Sequence, residues 1–380
     1  MLLCLSHLRW EFVYQRPQHL MSRAAATYDV CFFEEPIFEA GGLPRLLVTR
    51  HPSNLTVVVP VLPAGCTPPQ WAYFQRRLLD DLLAAIAPDR LLAWYYTPFP
   101  LTFSRHLAPD LCVYDNMDEL AAFLGAPPEL AELERELLLK ADVVFTGGQS
   151  LHEAKCRRHR NIHLFASSID APHFAGARRP MIVPSDQSAI ERPRLGFFGV
   201  IDERMDLDLV ATLADLAPEW QLVMIGPVVK IDPATLPRRP NLHWLGPKGY
   251  DELPAYLAAW DVGIMPFALN AATRFISPTK TPEFLAAGVP VISTPIRDVV
   301  RTYGERGLVE IAGDAAGFVF KAITLMQRPK DRWLARVDSH LATMSWDKTW
   351  AAMSELLRDC LRHGRDRPGM HAAAREHLGV

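Results

Sequence analysis

The sequence lacks the short motifs that mark several large classes of enzyme. Its 380 residues contain no Gly-x-Gly-x-x-Gly, no Gly-x-x-x-x-Gly-Lys phosphate loop and no His-Glu-x-x-His, which argues against a dehydrogenase, an NTPase and a zinc protease. The formal net charge is only −3, so the chain lacks the basic field of a nucleic-acid-binding protein. No apolar run is long enough to cross a bilayer. With 49% hydrophobic and 22% charged residues, the composition indicates a soluble globular protein.

Cysteine is scarce and shows no metal-binding spacing. The six cysteines form no Cys-x-x-Cys pair, and four lie in apolar runs: Cys4, Cys31, Cys112 and Cys360. This pattern predicts buried thiols in a reducing compartment and no zinc site. The N-terminus enters a strand at Leu2 without a basic region or a cleavage-like site, so we expect no signal peptide. We therefore expect a cytoplasmic protein, with peripheral contact at the inner membrane face as an alternative.

Short apolar segments alternate with helical patterns along most of the chain, as in doubly wound parallel α/β domains. The length fits two such domains. Residues 175–192 are rich in Pro, Arg and Ser and are interpreted as a linker. The pattern therefore predicts a first domain over 1–174, a second over 193–345, a further helix over 346–365 and a flexible tail over 366–380.

The most informative stretch is a helix predicted over Ser277–Ala287, between two apolar strands. Either of two hydroxyl–proline pairs, at 277–278 and at 281–282, can begin it. Both starts place Lys280 beside unpaired backbone N–H groups, and Glu283 falls on about the same face. A cation for phosphate and a carboxylate for sugar hydroxyls indicate a nucleotide-sugar pocket. The alternative is a buried connector helix whose Lys280 is a solvated surface charge.

This stretch resembles the donor-site signature of GT-B glycosyltransferases, which has two glutamates, a short apolar helix and a Gly-x-Pro-Val ending. Glu283 matches the second glutamate, and Gly288, Pro290 and Val291 match the ending. The first glutamate, which usually faces the donor sugar, is replaced by Phe275. The resemblance implies two Rossmann-like domains that face each other across a cleft, and a C-terminal helix that crosses back to the first domain.

Three other stretches are similar to the same family. Gly199–Arg204 resembles its phosphate loop, for which a βα turn with a solvated arginine is the alternative. Asp170 and Phe174 match the segment that ends the first domain, and Ser345–Trp346 matches the opening of the terminal helix.

The resemblance implies a metal-independent hexosyltransferase that moves a sugar from a nucleoside diphosphate sugar to an acceptor hydroxyl without a cofactor. Bacterial-type polysaccharide or glycolipid assembly is the expected setting, and the acceptor would be a saccharide or lipid-linked. The second domain would hold the donor through a set of eight residues: Gly199, Arg204, Gly226, Trp244, Ser277, Thr279, Lys280 and Glu283. Arg204 and Lys280 would stabilise the departing diphosphate, and Glu283 would bind the ribose hydroxyls.

An acidic cluster in the predicted first domain is the candidate general base for the acceptor hydroxyl. Asp115, Asp118 and Glu119 follow a buried strand, at the sheet edge where ligands collect in α/β proteins. Asp115 ranks first because it directly follows the strand, and Asp118 ranks second. Helix capping without chemistry is the alternative.

The acceptor side is predicted near the first strand, where many GT-B enzymes carry a Gly-rich loop that this chain lacks. Trp10, Arg16 and His19 are expected to replace its contacts. A capped surface helix with a half-buried tryptophan is the alternative.

Two rival functions share the fold: a nucleotide-sugar epimerase, and a non-catalytic nucleotide-sugar-binding subunit, which the departure at Phe275 makes conceivable. Asp206 and Asp208 match the Asp-x-Asp metal signature of another glycosyltransferase architecture. They fall where a helix is predicted to begin, so we expect them to cap it.

Overall fold

The computed structural model describes residues 1–363. The tail expected over 366–380, and the last residues of the helix expected over 346–365, lie outside the described residues. Within them the strands form two sheets. The first sheet contains β1 Leu2–Leu5, β2 Val30–Phe33, β3 Ile37–Glu39, β4 Arg45–His51, β5 Leu55–Pro63, β6 Leu92–Tyr95, β7 Leu111–Asn116, β8 Val143–Thr146 and β9 Ile162–Leu164. The second contains β10 Arg194–Phe198, β11 Gln221–Ile225, β12 Leu242–Gly246, β13 Val262–Met265, β14 Val291–Ser293 and β15 Glu310–Ile311.

Helices connect these strands. The α-helices are α1 Arg16–Ala24, α2 Pro68–Ile86, α3 Leu101–Ser104, α4 Leu130–Lys140, α5 Gln149–Lys155, α6 Ala171–Ala175, α7 Ser185–Ser188, α8 Leu207–Leu216, α9 Leu253–Leu257, α10 Lys280–Ala286, α11 Arg297–Val299, α12 Ala315–Gln327, α13 Asp331–Leu341 and α14 Trp346–His363. Single 3₁₀ turns cover Leu120–Ala122, Gly176–Arg178, Pro233–Thr235 and Tyr250–Glu252, and a π-turn covers Val300–Gly304.

Both sheets are parallel and doubly wound, as predicted. The first has the order β3-β5-β2-β1-β6-β7-β8-β9, and the second β12-β11-β10-β13-β14-β15. The exception to the parallel pairing is β4, which pairs antiparallel with β5. The sequence pattern does not indicate β3 or β4. The side chains of β4 are mostly exposed, so this strand lacks the buried apolar run by which the other strands are recognised.

Successive residues of β1 point to opposite faces of the first sheet and build two separate cores. Leu2 and Cys4 pack in the core that α1 and α14 cover, whereas Leu3 and Leu5 pack in the core that α2, α3 and α4 cover. The helix α14 follows the second domain in the chain, yet it packs on the first domain. Its buried side chains there are Trp346, Trp350, Met353 and Leu357. The crossover predicted for the C-terminal helix is therefore confirmed.

The first domain ends earlier than the sequence pattern indicates. Ile169 and Phe174, expected in the first domain, are buried in the core of the second. The segment expected as a linker is also anchored there. The side chain of Gln187 is fully buried and accepts a hydrogen bond of 2.7 Å from the indole Nε1 of Trp260. This contact could not be predicted from the Pro- and Ser-rich sequence, because a single buried amide side chain produces no apolar pattern.

The carboxyl ends of strands from both sheets meet at the cleft between the domains. Loops after β7 and β8 approach from the first domain, and loops after β10 and β13 approach from the second. Within residues 1–363, no helix combines the length and apolarity needed to cross a membrane.

Candidate active site

Two cationic side chains of the second domain face the cleft. Arg204 lies in the loop after β10, and Asp202, itself buried, holds its guanidinium in place. The Arg204 Nε is 2.9 Å from Asp202 Oδ1, and the Nη2 is 2.7 Å from Oδ2. Lys280 begins α10 and is half-buried. Burial lowers the pKa of Lys280, and the carboxylate of Glu283 opposes that effect.

Two glycines allow the loops after β10 and β11 to approach the Lys280 side chain and each other. Gly199 has φ +137°, and a Cβ atom there would lie 2.5 Å from Lys280 Cε. Gly226 has φ +146°, and a Cβ atom there would lie 1.7 Å from the Gly199 carbonyl oxygen. Both positions therefore require glycine for conformation and for space. They keep the backbone close to the cation, where a phosphate can approach it.

Glu283 projects from the first turn of α10 and is 8% exposed. In the part of the chain that the structure describes, no hydrogen-bond donor contacts its carboxylate, although Lys280 interacts with it electrostatically. Burial raises the pKa of Glu283 to about 7, against the lowering effect of Lys280. The described residues therefore leave the hydrogen-bonding capacity of this carboxylate free, which suits a ligand that supplies hydroxyl groups.

The start of α10 differs from both predicted starts. The helix begins at Lys280, after Thr279, so neither hydroxyl–proline pair caps it. Gly288 ends it with φ +74°, as predicted. Ser277, Thr279 and Lys280 border a small cavity in the cleft, together with Arg204.

That small cavity has a volume of about 110 Å³ and lies between the domains. From the first domain it is bordered by Asp118, after β7, and by Gly147, after β8. The fold therefore brings one predicted acid of the first domain opposite the two predicted cations of the second.

The other two acids of the predicted cluster are engaged elsewhere. Asp115 is fully buried, and Arg16 donates three hydrogen bonds of 2.8–3.1 Å to its oxygens. Glu119 lies 2.7 Å from the buried ammonium of Lys155. Ranking Asp115 first is therefore corrected: direct continuation of a buried strand places its side chain in the interior, not in the cleft.

Asp118 is the member of the cluster that faces the cleft. It is half-buried, and Asn116 fixes its backbone by donating a hydrogen bond of 2.9 Å to its carbonyl oxygen. Burial raises the pKa of Asp118, and the nearby guanidinium of Arg204 opposes this shift. A carboxylate with a raised pKa is a better proton acceptor, which suits a general base.

Comparison with known proteins agrees with this geometry. Residues 192–328 match the Glycosyl transferases group 1 family. The chain superposes with a TM-score of 0.71 on sucrose-phosphate synthase from Thermosynechococcus elongatus, at 15% identity, covering 95% of this chain and 99% of that one. The chain has the GT-B fold, and its residues 192–328 are similar to this glycosyltransferase family.

Two other comparisons extend this result. The present chain also superposes on a structure described as trehalose-6-phosphate from E. coli bound with UDP-2-fluoro glucose. The TM-score is 0.70 at 12% identity, and the superposition covers 93% of the present chain and 98% of the E. coli chain. The putative teichuronic acid biosynthesis glycosyltransferase TuaH of Bacillus subtilis (strain 168) is 29% identical over 238 residues. That alignment covers 57% of this chain and 59% of TuaH, so the chain spans less than two thirds of this relative.

The three residues predicted on the acceptor side, Trp10, Arg16 and His19, do not surround one open site. Trp10 packs edge-on against Phe32, with the ring centroids 5.1 Å apart. His19 is buried and stacks on Trp346 at 4.7 Å, so it helps to join α1 to α14. Arg16 borders the small cavity, but its guanidinium is held by Asp115. All three side chains are therefore engaged in packing or ion pairing, and their role toward an acceptor stays a prediction.

Trp244, predicted to frame the nucleotide base, donates a hydrogen bond of 3.0 Å from its indole Nε1 to the Pro237 carbonyl and packs against the second core. It borders neither of the two cavities described here for residues 1–363. Its role toward the base therefore remains a prediction. Asp206 accepts a hydrogen bond of 2.8 Å from the backbone of Leu209, which is the expected helix cap.

A second, larger cavity of about 570 Å³ lies mainly in the first domain and reaches Asp118 and, in the second domain, Arg204 and Lys230. His7, which follows β1 and borders this cavity, is not among the predicted site residues. Within residues 1–363 its buried Nδ1 has no hydrogen-bond partner, and burial and Lys230 lower the pKa of His7 to about 4. Its position after a buried strand was the one available signal in the sequence.

Proposed function

We propose that this protein transfers a sugar from a nucleoside diphosphate sugar to an acceptor hydroxyl. The observation that carries the proposal is the convergence of Arg204 and Lys280, from the second domain, on the cavity that Asp118 borders from the first. Two cations suit a diphosphate leaving group, and a carboxylate opposite them suits the hydroxyl that replaces it.

In this reaction the acceptor oxygen forms a bond to the anomeric carbon, and the bond from that carbon to the diphosphate oxygen breaks. Negative charge develops on the diphosphate as it departs. Arg204, oriented by Asp202, and Lys280 stabilise that charge inside a partly desolvated cleft, where their effect is stronger than in water. We propose that these two side chains supply the positive charge that the leaving group needs, without a metal and without a cofactor.

Glu283 accepts hydrogen bonds from the ribose hydroxyls in this proposal. Support comes from its burial and from the absence of other donors to it within residues 1–363. Because a carboxylate with an unsatisfied hydrogen-bonding capacity is costly when buried, hydroxyls that fill this capacity contribute strongly to donor recognition.

The acceptor proton goes to Asp118 in this proposal. Asp115 is paired with Arg16, and Glu119 is paired with Lys155, whereas Asp118 borders the cavity. In a reaction that retains the anomeric configuration, the departing phosphate takes the proton instead, and Asp118 then only orients the acceptor.

The setting we propose is assembly of a bacterial-type polysaccharide or glycolipid on the cytoplasmic side of the membrane. The likeness to TuaH, described as a teichuronic acid biosynthesis glycosyltransferase, supports this setting. Cys4, Cys31 and Cys112 are buried free thiols, which suits a reducing compartment.

A thermal-unfolding screen against nucleoside diphosphates tests the donor site. A diphosphate present at 100 times its Kd adds about 2.7 kcal/mol to the free energy of unfolding. We expect at least one common nucleoside diphosphate to give such a shift, and the Lys280→Met variant to lose most of it. A protein that no nucleoside diphosphate stabilises has no donor site of this kind.

A further inference from the structure

The large cavity of the first domain is walled mainly by apolar side chains. They come from seven separate parts of the chain, five of them in the first domain, which include α2 and the 3₁₀ turn after β7. Representative members are Leu8, Trp71, Phe99, Phe103, Leu120 and Phe123. A volume of about 570 Å³ is that of a small-molecule site, and such a wall favours an apolar ligand.

Most polar groups that border this cavity are already satisfied by the protein. Ser6 exchanges hydrogen bonds with the backbone of Leu8, and Glu34 accepts from Arg9 and from the Trp10 backbone. Gln75 donates to a carbonyl of its own helix at 3.4 Å. A sugar ring needs a partner for nearly every hydroxyl, so these walls would leave it with unsatisfied groups.

Two buried polar atoms at the cavity lack partners among the described residues. They are Nδ1 of His7 and the indole Nε1 of Trp71. Asp118 and Arg204 border the same cavity at its end toward the second domain. Unpaired polar atoms are therefore present at a few points, the exposed side chains of Glu35 and Lys230 add charge to the lining, and the rest of the wall is mainly apolar.

The apolar wall continues to the protein surface. Three side chains that border the cavity are also exposed to solvent: Phe12 by 48%, Phe38 by 45% and Leu124 by 66%. An apolar ligand longer than the cavity can therefore leave it along apolar side chains. A long chain fits this arrangement better than a compact ring that the cavity would enclose.

We propose that this cavity binds an amphiphilic acceptor, with its apolar chain against the cavity wall and its hydroxyl-bearing end near His7 and Asp118. This inference rests on the proposed function in one respect, namely that the bound hydroxyl group is the one that receives the sugar. Binding of the chain itself needs no donor and can be measured alone.

The test uses n-alkyl β-D-glucosides with six, seven and eight carbons in the chain, each below its critical micelle concentration, with free glucose as the polar reference. Each methylene buried in an apolar site contributes about 0.8 kcal/mol, so calorimetry should show about a fourfold gain in affinity per carbon. Equal affinity for octyl glucoside and glucose would overturn the proposal.

A matched pair of variants localises the binding. Leu120→Asp places a charge in the cavity wall and should lower the affinity for octyl glucoside at least about tenfold. Leu139→Asp makes the same change on an 87% exposed side chain of α4 and should leave it unchanged. Equal loss, or no loss, in both variants would mean that the chain binds elsewhere. The chain-length series in the unchanged protein remains decisive if Leu120→Asp fails to fold.

Transfer assays separate this inference from the proposed function. Chain-dependent binding without any glycosyl transfer would leave the acceptor cavity standing and contradict the proposed function. Transfer to free sugars with no dependence on an alkyl chain would support the proposed function and contradict the acceptor cavity.

Discussion

Glu283 should make donor binding depend on pH near neutrality. Its pKa of about 7 is above the ordinary value because of burial, so the carboxylate is largely protonated at pH 6 and largely ionised at pH 8. Ribose hydroxyls donate to the ionised form. The affinity for a nucleoside diphosphate should therefore rise about tenfold between pH 6 and pH 8.

The control is Glu283→Gln, which keeps the shape but cannot ionise. A terminal phosphate of the ligand also titrates near pH 6, so the informative quantity is the difference between the two proteins. A pH profile that is the same in the variant and in the unchanged protein would contradict the role of Glu283.

Lys280 should contribute to turnover through the leaving group. Removing a charge-assisted hydrogen bond costs about 1.5–3 kcal/mol, so Lys280→Met should lower kcat about 10- to 150-fold. Lys321→Met is the matched control, because Lys321 is a cation of the same domain that pairs with Glu310 instead of facing the cleft. If Lys280→Met and Lys321→Met have the same kcat, the diphosphate does not lie where we propose.

Asp118 and Asp115 should separate catalysis from stability. Asp118→Asn removes the proposed base and should lower kcat about 10²- to 10⁴-fold in an inverting reaction, with the fold intact. Asp115→Asn breaks the buried pair with Arg16 and should lower the free energy of unfolding by about 3–5 kcal/mol.

Urea unfolding and steady-state kinetics of both variants check this pair of expectations. A stable Asp115→Asn protein with a hundredfold loss of kcat would restore the original ranking of Asp115. Full activity of Asp118→Asn, together with a retained anomeric configuration, would assign the proton to the departing phosphate.

At the scale of elements, the sequence supports most of the fold because buried parallel strands leave continuous apolar runs. β10, β11 and β13 are buried along nearly their whole length. β4 could not be recognised, because an exposed edge strand has no such run.

The site is likewise predictable only where its residues lie close together in the sequence. Lys280 and Glu283 follow from one local motif, whereas the pairing of Asp115 with Arg16 joins residues 99 positions apart and leaves no local pattern.

Contacts at the start of α5 join the two domains, and Gly148, which directly precedes this helix, allows them to approach closely. Asp298, at the start of α11, accepts hydrogen bonds from the backbone and the hydroxyl of Ser150. At Gly148, a Cβ atom would lie 2.6 Å from Asp298 Oδ2 and 2.9 Å from Ser277 Cβ. Gly148→Ala should therefore separate the domains on this side of the cleft.

Small-angle scattering checks this expectation. The Gly148→Ala protein should have a larger radius of gyration than the unchanged protein, whereas Gly313→Ala, whose added Cβ would meet no atom within 4 Å, should not. Identical curves for all three proteins would show that this contact does not hold the domains together.

At the scale of the whole molecule, the small cavity between the domains explains why such separation matters. Its volume of about 110 Å³ is below the range of ordinary ligand sites, so we expect the domains to open when a nucleoside diphosphate sugar enters. We expect α14, which packs on the first domain but follows the second in the chain, to guide this motion. Its N-terminal Trp346 stacks on His19 at the point where the chain crosses over.

Transfer of a sugar to an acceptor hydroxyl can be measured by following both products in one reaction. Purified protein is incubated with a radiolabelled nucleoside diphosphate sugar and either octyl glucoside or free glucose, with Lys280→Met as the reference of lowered activity. We expect equal amounts of nucleoside diphosphate and of an octyl glycoside one sugar longer, both strongly reduced in the variant. An isomerised nucleotide sugar with no glycoside would identify an epimerase. Tight donor binding with neither product, for octyl glucoside and for free glucose alike, would identify a non-catalytic subunit, and either result would contradict the proposed function.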